Sequence, residues 1–239
     1  MNRKQQREAL RRAFAAPQPQ RRDAFLRRVA PLPPCMSAGA FLLTQAGYLH
    51  WGVWAASALV FGAAVLCGRA LGPELLPHLS ALTPLLALTL VAESSRSVRC
   101  GMAELELATR FSLRRVTLAR MGLLGIENLA LLCLLVPLAA RQSARGVLAV
   151  GSYLLAPYLL TVCVGLALEQ RLRGPEGMYA CCAAGAAISV TIELAKSLEP
   201  LLYAPPALGG WAMGTALLLA ATAVQAHRML KQTEEITWN

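Results

Sequence analysis

The sequence predicts an all-α integral membrane protein with six transmembrane helices, an interfacial helix ahead of the first and a charged cytoplasmic connection between the second and third. Three observations carry this reading. Of 239 residues, 56% are hydrophobic and only 15% charged, whereas a soluble domain keeps roughly a quarter of its residues charged. The apolar residues gather in six runs, each of about 18–23 residues, the length a helix needs to cross a hydrocarbon core about 30 Å thick. Lysine and arginine are divided unequally between the connections, 19 on one side of the runs and 4 on the other.

Residues 1–36 form a basic N-terminal arm, with nine Lys/Arg, two acids and the prolines Pro17, Pro19, Pro31, Pro33 and Pro34. The arm offers no apolar run to serve as the core of a cleavable signal peptide. Its segment 21–28 sets Phe25 and Leu26 among arginines, a composition suited to an anionic membrane surface and equally to a solvated arm. From Ser37 to Cys67 the chain is nearly uncharged. One helix of that length would rise about 46 Å, too far for one straight span and too short for two. The stretch therefore divides. Residues 37–48 are expected to lie along the surface as an interfacial elbow helix with Thr44 and Gln45 on its wet side. Residues 49–68 then cross, held at the headgroups by Tyr48, Trp51 and Trp54.

Five further spans follow at 75–92, 121–140, 146–168, 178–195 and 207–226, and a tail at 227–239. Pro77, Pro84, Pro137 and Pro157 fall within or at the ends of these spans, which membrane helices tolerate where the freed carbonyls find other donors. Glu93 ends the second span and Glu193 lies inside the fifth. By the positive-inside rule the 19-to-4 division places both termini in the cytoplasm of a multi-pass plasma-membrane protein. The outer connections, about 6, 5 and 11 residues long, leave no room for an external receptor domain.

Composition and motifs exclude several classes of function. The net charge of +10 and the pI near 9.8 would suit a nucleic-acid module, but the mean hydropathy of +0.49 argues against one. Seven cysteines, an odd number with no CxxC among them (Cys35, Cys67, Cys100, Cys133, Cys163, Cys181, Cys182), read as small buried hydrophobes. His50, His78 and His227 stand far apart. There is no HExxH, GxSxG or Walker phosphate loop, so no catalytic residue, metal site or bound cofactor is expected and the chain does not read as an enzyme.

The connection 93–120 is the long one. Met102, Leu105, Leu107 and Phe111 alternate there with Glu104, Glu106 and Arg110, and Ser112 is placed to cap a following helix that runs straight into the third span. The stretch AELELATRFSLRRVTLAR resembles the coupling helix of ABC-2 type permeases, the membrane subunits of one class of ABC transporter. The acidic part carries Glu104 and Glu106, the break falls at Ser112, and the basic part carries Arg114, Arg115 and Arg120. Six spans, cytoplasmic termini and an elbow helix fit the same family from about residue 37 to 230. The family often has an extracellular domain between its fifth and sixth spans, which is missing here, and the arm is unusually basic. The resemblance implies an exporter permease paired with a second copy or a paralogue and surrounded by membrane lipids. ATP would sit on a separate cytosolic ABC ATPase subunit, docked on Glu104, Leu105, Glu106, Leu107, Arg110 and Phe111.

Within the spans, Glu127 beside Asn128 and Glu193 in the opposite leaflet are candidates for a translocation path, since an intramembrane acid faces protein or water. The small residues at 180–187, with Gly185, suit either close intrachain packing or a dimer seam. Gly209, Gly210 and Gly214 open the last span in the same way. Two other functions fit the composition: a stand-alone membrane sensor or regulator without an ATPase, and an autonomous channel that uses Glu127.

Overall fold

A computed structural model describes residues 37–71, 75–94, 96, 113–143, 145–172, 175–198 and 208–235. The chain divides into two units, Met1–Phe41 and Leu42–Asn239. Of the first, only residues 37–41 are described. Ser37 caps the helix that begins there, its Oγ accepting the Ala40 N–H at 3.2 Å.

Seven helices make up the described residues: α1 (Ala38–Tyr48), α2 (Trp51–Leu71), α3 (Leu75–Ser94), α4 (Leu113–Ser143), α5 (Val147–Arg171), α6 (Pro175–Leu198) and α7 (Leu208–Glu235). The last six are long and apolar enough to cross a membrane. The expected division after Tyr48 is present, and His50 explains it. Its Nδ1 accepts the Gly52 N–H at 3.0 Å, capping α2 with a side chain that ends one helix and starts the next. Gly52 is required for that fold-back, because a Cβ there would lie 2.8 Å from the imidazole Nδ1.

One expectation for α1 is overturned. Gln45 is not on a wet face; it is 8% exposed, while Leu42, Leu43 and Tyr48 point outward. The helix turns its polar side chain toward the protein and its leucines away, the pattern of a helix whose outer surroundings are apolar. Tyr48, Trp51 and Trp54 are all exposed, as an aromatic belt requires.

Helices α3 and α5 form the centre. Buried residues make up 56% and 50% of their spans, against 17% for α2, 11% for α6 and 0% for α7. Both central helices contain proline, and in α3 a local donor compensates for it. Pro84 deprives the Ser80 carbonyl of its helical amide, and the Thr83 hydroxyl donates to that carbonyl at 2.9 Å. In α5 the Thr161 hydroxyl donates to the Pro157 carbonyl at 2.9 Å, a bond within the helix that does not reach the Tyr153 carbonyl freed by the proline.

Close contacts give the directions of the helices. Along α3 and α6 the numbering runs oppositely: His78 meets Glu193, and Leu88 meets Gly185. Along α5 and α7 it runs together, the Thr215 and Thr222 hydroxyls lying 3.5 and 3.4 Å from the Ser152 and Leu159 carbonyls, each pair 63 residues apart. An antiparallel α3–α6 pair and a parallel α5–α7 pair are the directions that six successive crossings give. Where α3, α5 and α7 end and α2, α4 and α6 begin, Arg115, Arg120, Arg171 and Arg228 gather; this is the basic end. Arg141 and Arg145 lie at the other.

Helix α4 is one unbroken element of 31 residues, about 46 Å long at about 1.5 Å per residue. It exceeds the hydrocarbon core by several turns. The expected entry helix and third span are a single rod that starts at Leu113, immediately after Ser112.

Glycine sets the closest approaches. A Cβ at Gly165 would lie 2.7 Å from Val91 Cγ2, and one at Gly185 would lie 2.9 Å from Leu88 Cδ1. The small residues of the fifth span are therefore used, at Gly185, to seat α6 on α3. Around Gly209, Gly210 and Gly214 there is open space instead.

Candidate functional site

At the basic end a cavity of about 480 Å³ opens between α2 and α6, with the end of α3 and the last turn of α5 behind it. Its walls are mainly apolar, from Val53, Ala56, Leu85, Leu88, Ala92 and Met178. Its polar groups are few and placed by helix ends. Glu93, in the last turn of α3, is 4% exposed. Its Oε1 accepts from Arg96 Nη1 at 2.9 Å, so a charge that burial would otherwise penalise is paired three residues on, just beyond the end of the helix. Glu169 reaches the cavity from α5. The Cys181 thiol of α6 lies 3.9 Å from Glu169 Oε1 and 3.5 Å from the Gly165 carbonyl. His50, Thr89 and the exposed Cys182 complete the polar lining.

The tight join of α5 to α6 brings Glu169 here. The Leu172 N–H closes the end of α5 on the Leu168 carbonyl at 2.8 Å, and Pro175 begins α6 at the position that suits proline best. Gly177 allows the chain to pass, because a Cβ there would stand 2.6 Å from the Leu172 carbonyl.

The three intramembrane candidates from the sequence occupy three different settings, and none of them lines this cavity. Glu127 is half-buried on α4 and turned toward the wholly buried Ser57 of α2. Its Oε2 and the Ser57 Oγ are both enclosed without a hydrogen bond of good geometry. Asn128, one residue on, points about 100° away around the helix, into the centre. It is 0% exposed, and its Nδ2 donates to the Tyr158 hydroxyl at 3.3 Å and the Leu86 carbonyl at 3.4 Å. That carbonyl also accepts the Thr89 hydroxyl at 2.7 Å. One polar node thus joins α3, α4 and α5. Glu193 is at the far end of the bundle, its Oε1 3.0 Å from His78 Nδ1.

The coupling candidates Glu104, Leu105, Glu106, Leu107, Arg110 and Phe111 lie outside the described residues, as does Ser112. Among the described residues no three His, Cys, Asp or Glu side chains converge on a metal position.

Sequence reading did not assemble Glu93, Arg96, Glu169 and His50 into a site. Each stands at the end of an apolar run, where a charged or polar residue ordinarily only marks the membrane boundary. The signal that was available is the pair of acids, Glu93 and Glu169, both set at ends that share the basic side.

Searches against protein-family models, curated proteins and solved structures match nothing to this chain.

Proposed function

We propose that this chain is the membrane-spanning subunit of an ATP-driven exporter of the ABC-2 type, working with a separate cytosolic ATPase. One observation carries the reading: α3 and α6 are tied at one end by His78 and Glu193, and at the other end a cavity opens beside them, between α2 and α6. Alternating access needs a path open on one side and closed on the other, with rigid helices that change partners at their ends. The 19-to-4 division of Lys and Arg assigns the open end to the cytoplasm, the loading side for export.

The further supports are these. Helix α4 is longer than a bilayer crossing and continues the connection from α3 as a stiff lever. The chain has no phosphate loop, so ATP binding falls to a partner subunit. Docking falls to Glu104, Leu105, Glu106, Leu107, Arg110 and Phe111, where a few buried apolar anchors supply affinity and charges around them supply register. Glu127 and Asn128 tune the moving helices, and a second copy or paralogue completes the path within the lipid.

Reporter fusions at Leu71, Ser143 and Tyr203 are expected to read outside, and those at Ser112, Gly174 and Asn239 inside; two reversed sites would overturn the orientation. Function is tested by ATP-dependent transport in vesicles holding the chain and its ATPase. Phe111→Ala is expected to abolish transport while ATP hydrolysis persists, and Arg114→Ala to have a milder effect. Equal effects of the two variants would remove the anchor role of Phe111.

A further inference from the structure

The cavity at the basic end has a charge that its own residues do not balance. Glu93 is matched by Arg96 at 2.9 Å. The His50 ring accepts the Gly52 N–H on Nδ1 and is not paired with either acid. Glu169 is half-buried, its polar neighbour is the Cys181 thiol at 3.9 Å, and among the described residues no Lys, Arg or His pairs with it. The result is one carboxylate without a cationic partner among the described residues, in an open cavity of about 480 Å³ whose other walls are mainly leucine, alanine, valine and methionine, with Thr89 and Cys182. That volume suits a drug-sized molecule, and such sites orient a largely apolar ligand by a few polar groups.

We infer that this cavity binds a lipophilic monovalent cation, with the Glu169 carboxylate as its counter-charge and the apolar walls of α2, α3 and α6 enclosing its hydrophobic body. An anion of the same shape would face a like charge; a neutral body would leave that charge unanswered. The polarizable thioether of Met178, at the mouth and 39% exposed, adapts to ligands of different outline. The inference deepens the permease reading by naming a cargo class, and it rests on that reading for the role of cargo, but not for binding itself.

The test is binding of tetraphenylphosphonium to the purified full-length chain, beside tetraphenylborate, an anion of the same shape. Wild type is expected to hold the phosphonium at least tenfold more tightly than Glu169→Gln does, about 1.4 kcal/mol, while the variant binds the borate no more weakly than wild type. Ala56→Trp fills the chamber from an exposed position, so it should cut phosphonium binding without lowering Tm. Phosphonium should also slow alkylation of Cys182, read by mass spectrometry on the intact chain. Equal phosphonium affinity in wild type, Glu169→Gln and Ala56→Trp, or unchanged alkylation of Cys182, would overturn the inference. If phosphonium binds as expected but no ATPase accompanies the chain, the cation site stands and the permease reading falls. If an ATPase accompanies it and phosphonium does not bind, only the cation inference falls.

Discussion

His78 Nδ1 lies 3.0 Å from Glu193 Oε1, pinning α6 to α3 at the end of the bundle opposite the cavity. Eight residues further down α6, Gly185 rests against Leu88, about 12 Å away at about 1.5 Å per residue. Beyond that contact Ala92 of α3 and Met178 and Cys182 of α6 line the cavity. On the permease reading proposed above, the glycine contact is the pivot of the pair and the His78–Glu193 tie its latch.

The latch is partly exposed, the two side chains at 29% and 42%, so its contribution to stability should stay below about 1 kcal/mol. Glu193→Gln is therefore expected to shift Tm little and to alter access instead. A cysteine at Ser189, one turn inward and half-buried, should react faster with an impermeant maleimide in the Glu193→Gln background than in the parent. Equal rates would reduce the pair to a surface contact.

At Gly165 α5 lies close against α3, with Val91 filling the space a Cβ would need. Overpacking of this kind costs about 1–3 kcal/mol. Gly165→Ala should lower Tm, and Val91→Ala added to it should recover much of the loss, because the second change removes the atoms that clash. A double variant no more stable than Gly165→Ala alone would place the strain elsewhere.

The polar node of Asn128, Tyr158 and the Leu86 carbonyl should behave as a unit. Asn128→Ala and Tyr158→Phe are each expected to destabilise by about 0.5–2 kcal/mol. Because they share a hydrogen bond of 3.3 Å, their combined effect should be smaller than the sum. Additive losses in a double-mutant cycle would show that the two side chains act independently.

Glu127 calls for a different result. Its carboxylate is half-buried beside the enclosed Ser57 hydroxyl and takes no part in the node at Asn128. Glu127→Gln keeps the shape and removes the charge, so it should change transport or coupled ATP hydrolysis more than expression or Tm. A lowered Tm with unchanged transport would assign Glu127 a structural role.

These residues also show what could be read from sequence and why the rest could not. Span positions followed from apolar length, and the break near Tyr48 from a run too long for one crossing. The direction of Gln45 did not follow: a single glutamine in an apolar helix is marked as unusual by composition, but whether water or protein receives it depends on neighbours far along the chain. The separate settings of Glu127 and Asn128 follow from helical geometry alone. The partner of Glu193 did not, since His78 is an unremarkable edge residue until α3 and α6 pack antiparallel. Glu93 and Glu169 were visible as acids at span ends; only the packing of four helices makes a chamber of them.

We propose that a cytosolic ATPase drives this chain through residues 101–112. The most direct test is purification of the intact chain from native membranes after cross-linking through a cysteine placed at Ala108. The account predicts an ABC ATPase joined to the wild-type chain, with recovery reduced in a salt-dependent way when Glu104 and Glu106 are both changed to lysine. Recovery of the chain without any ATPase, before and after cross-linking, would contradict it and leave a stand-alone membrane protein.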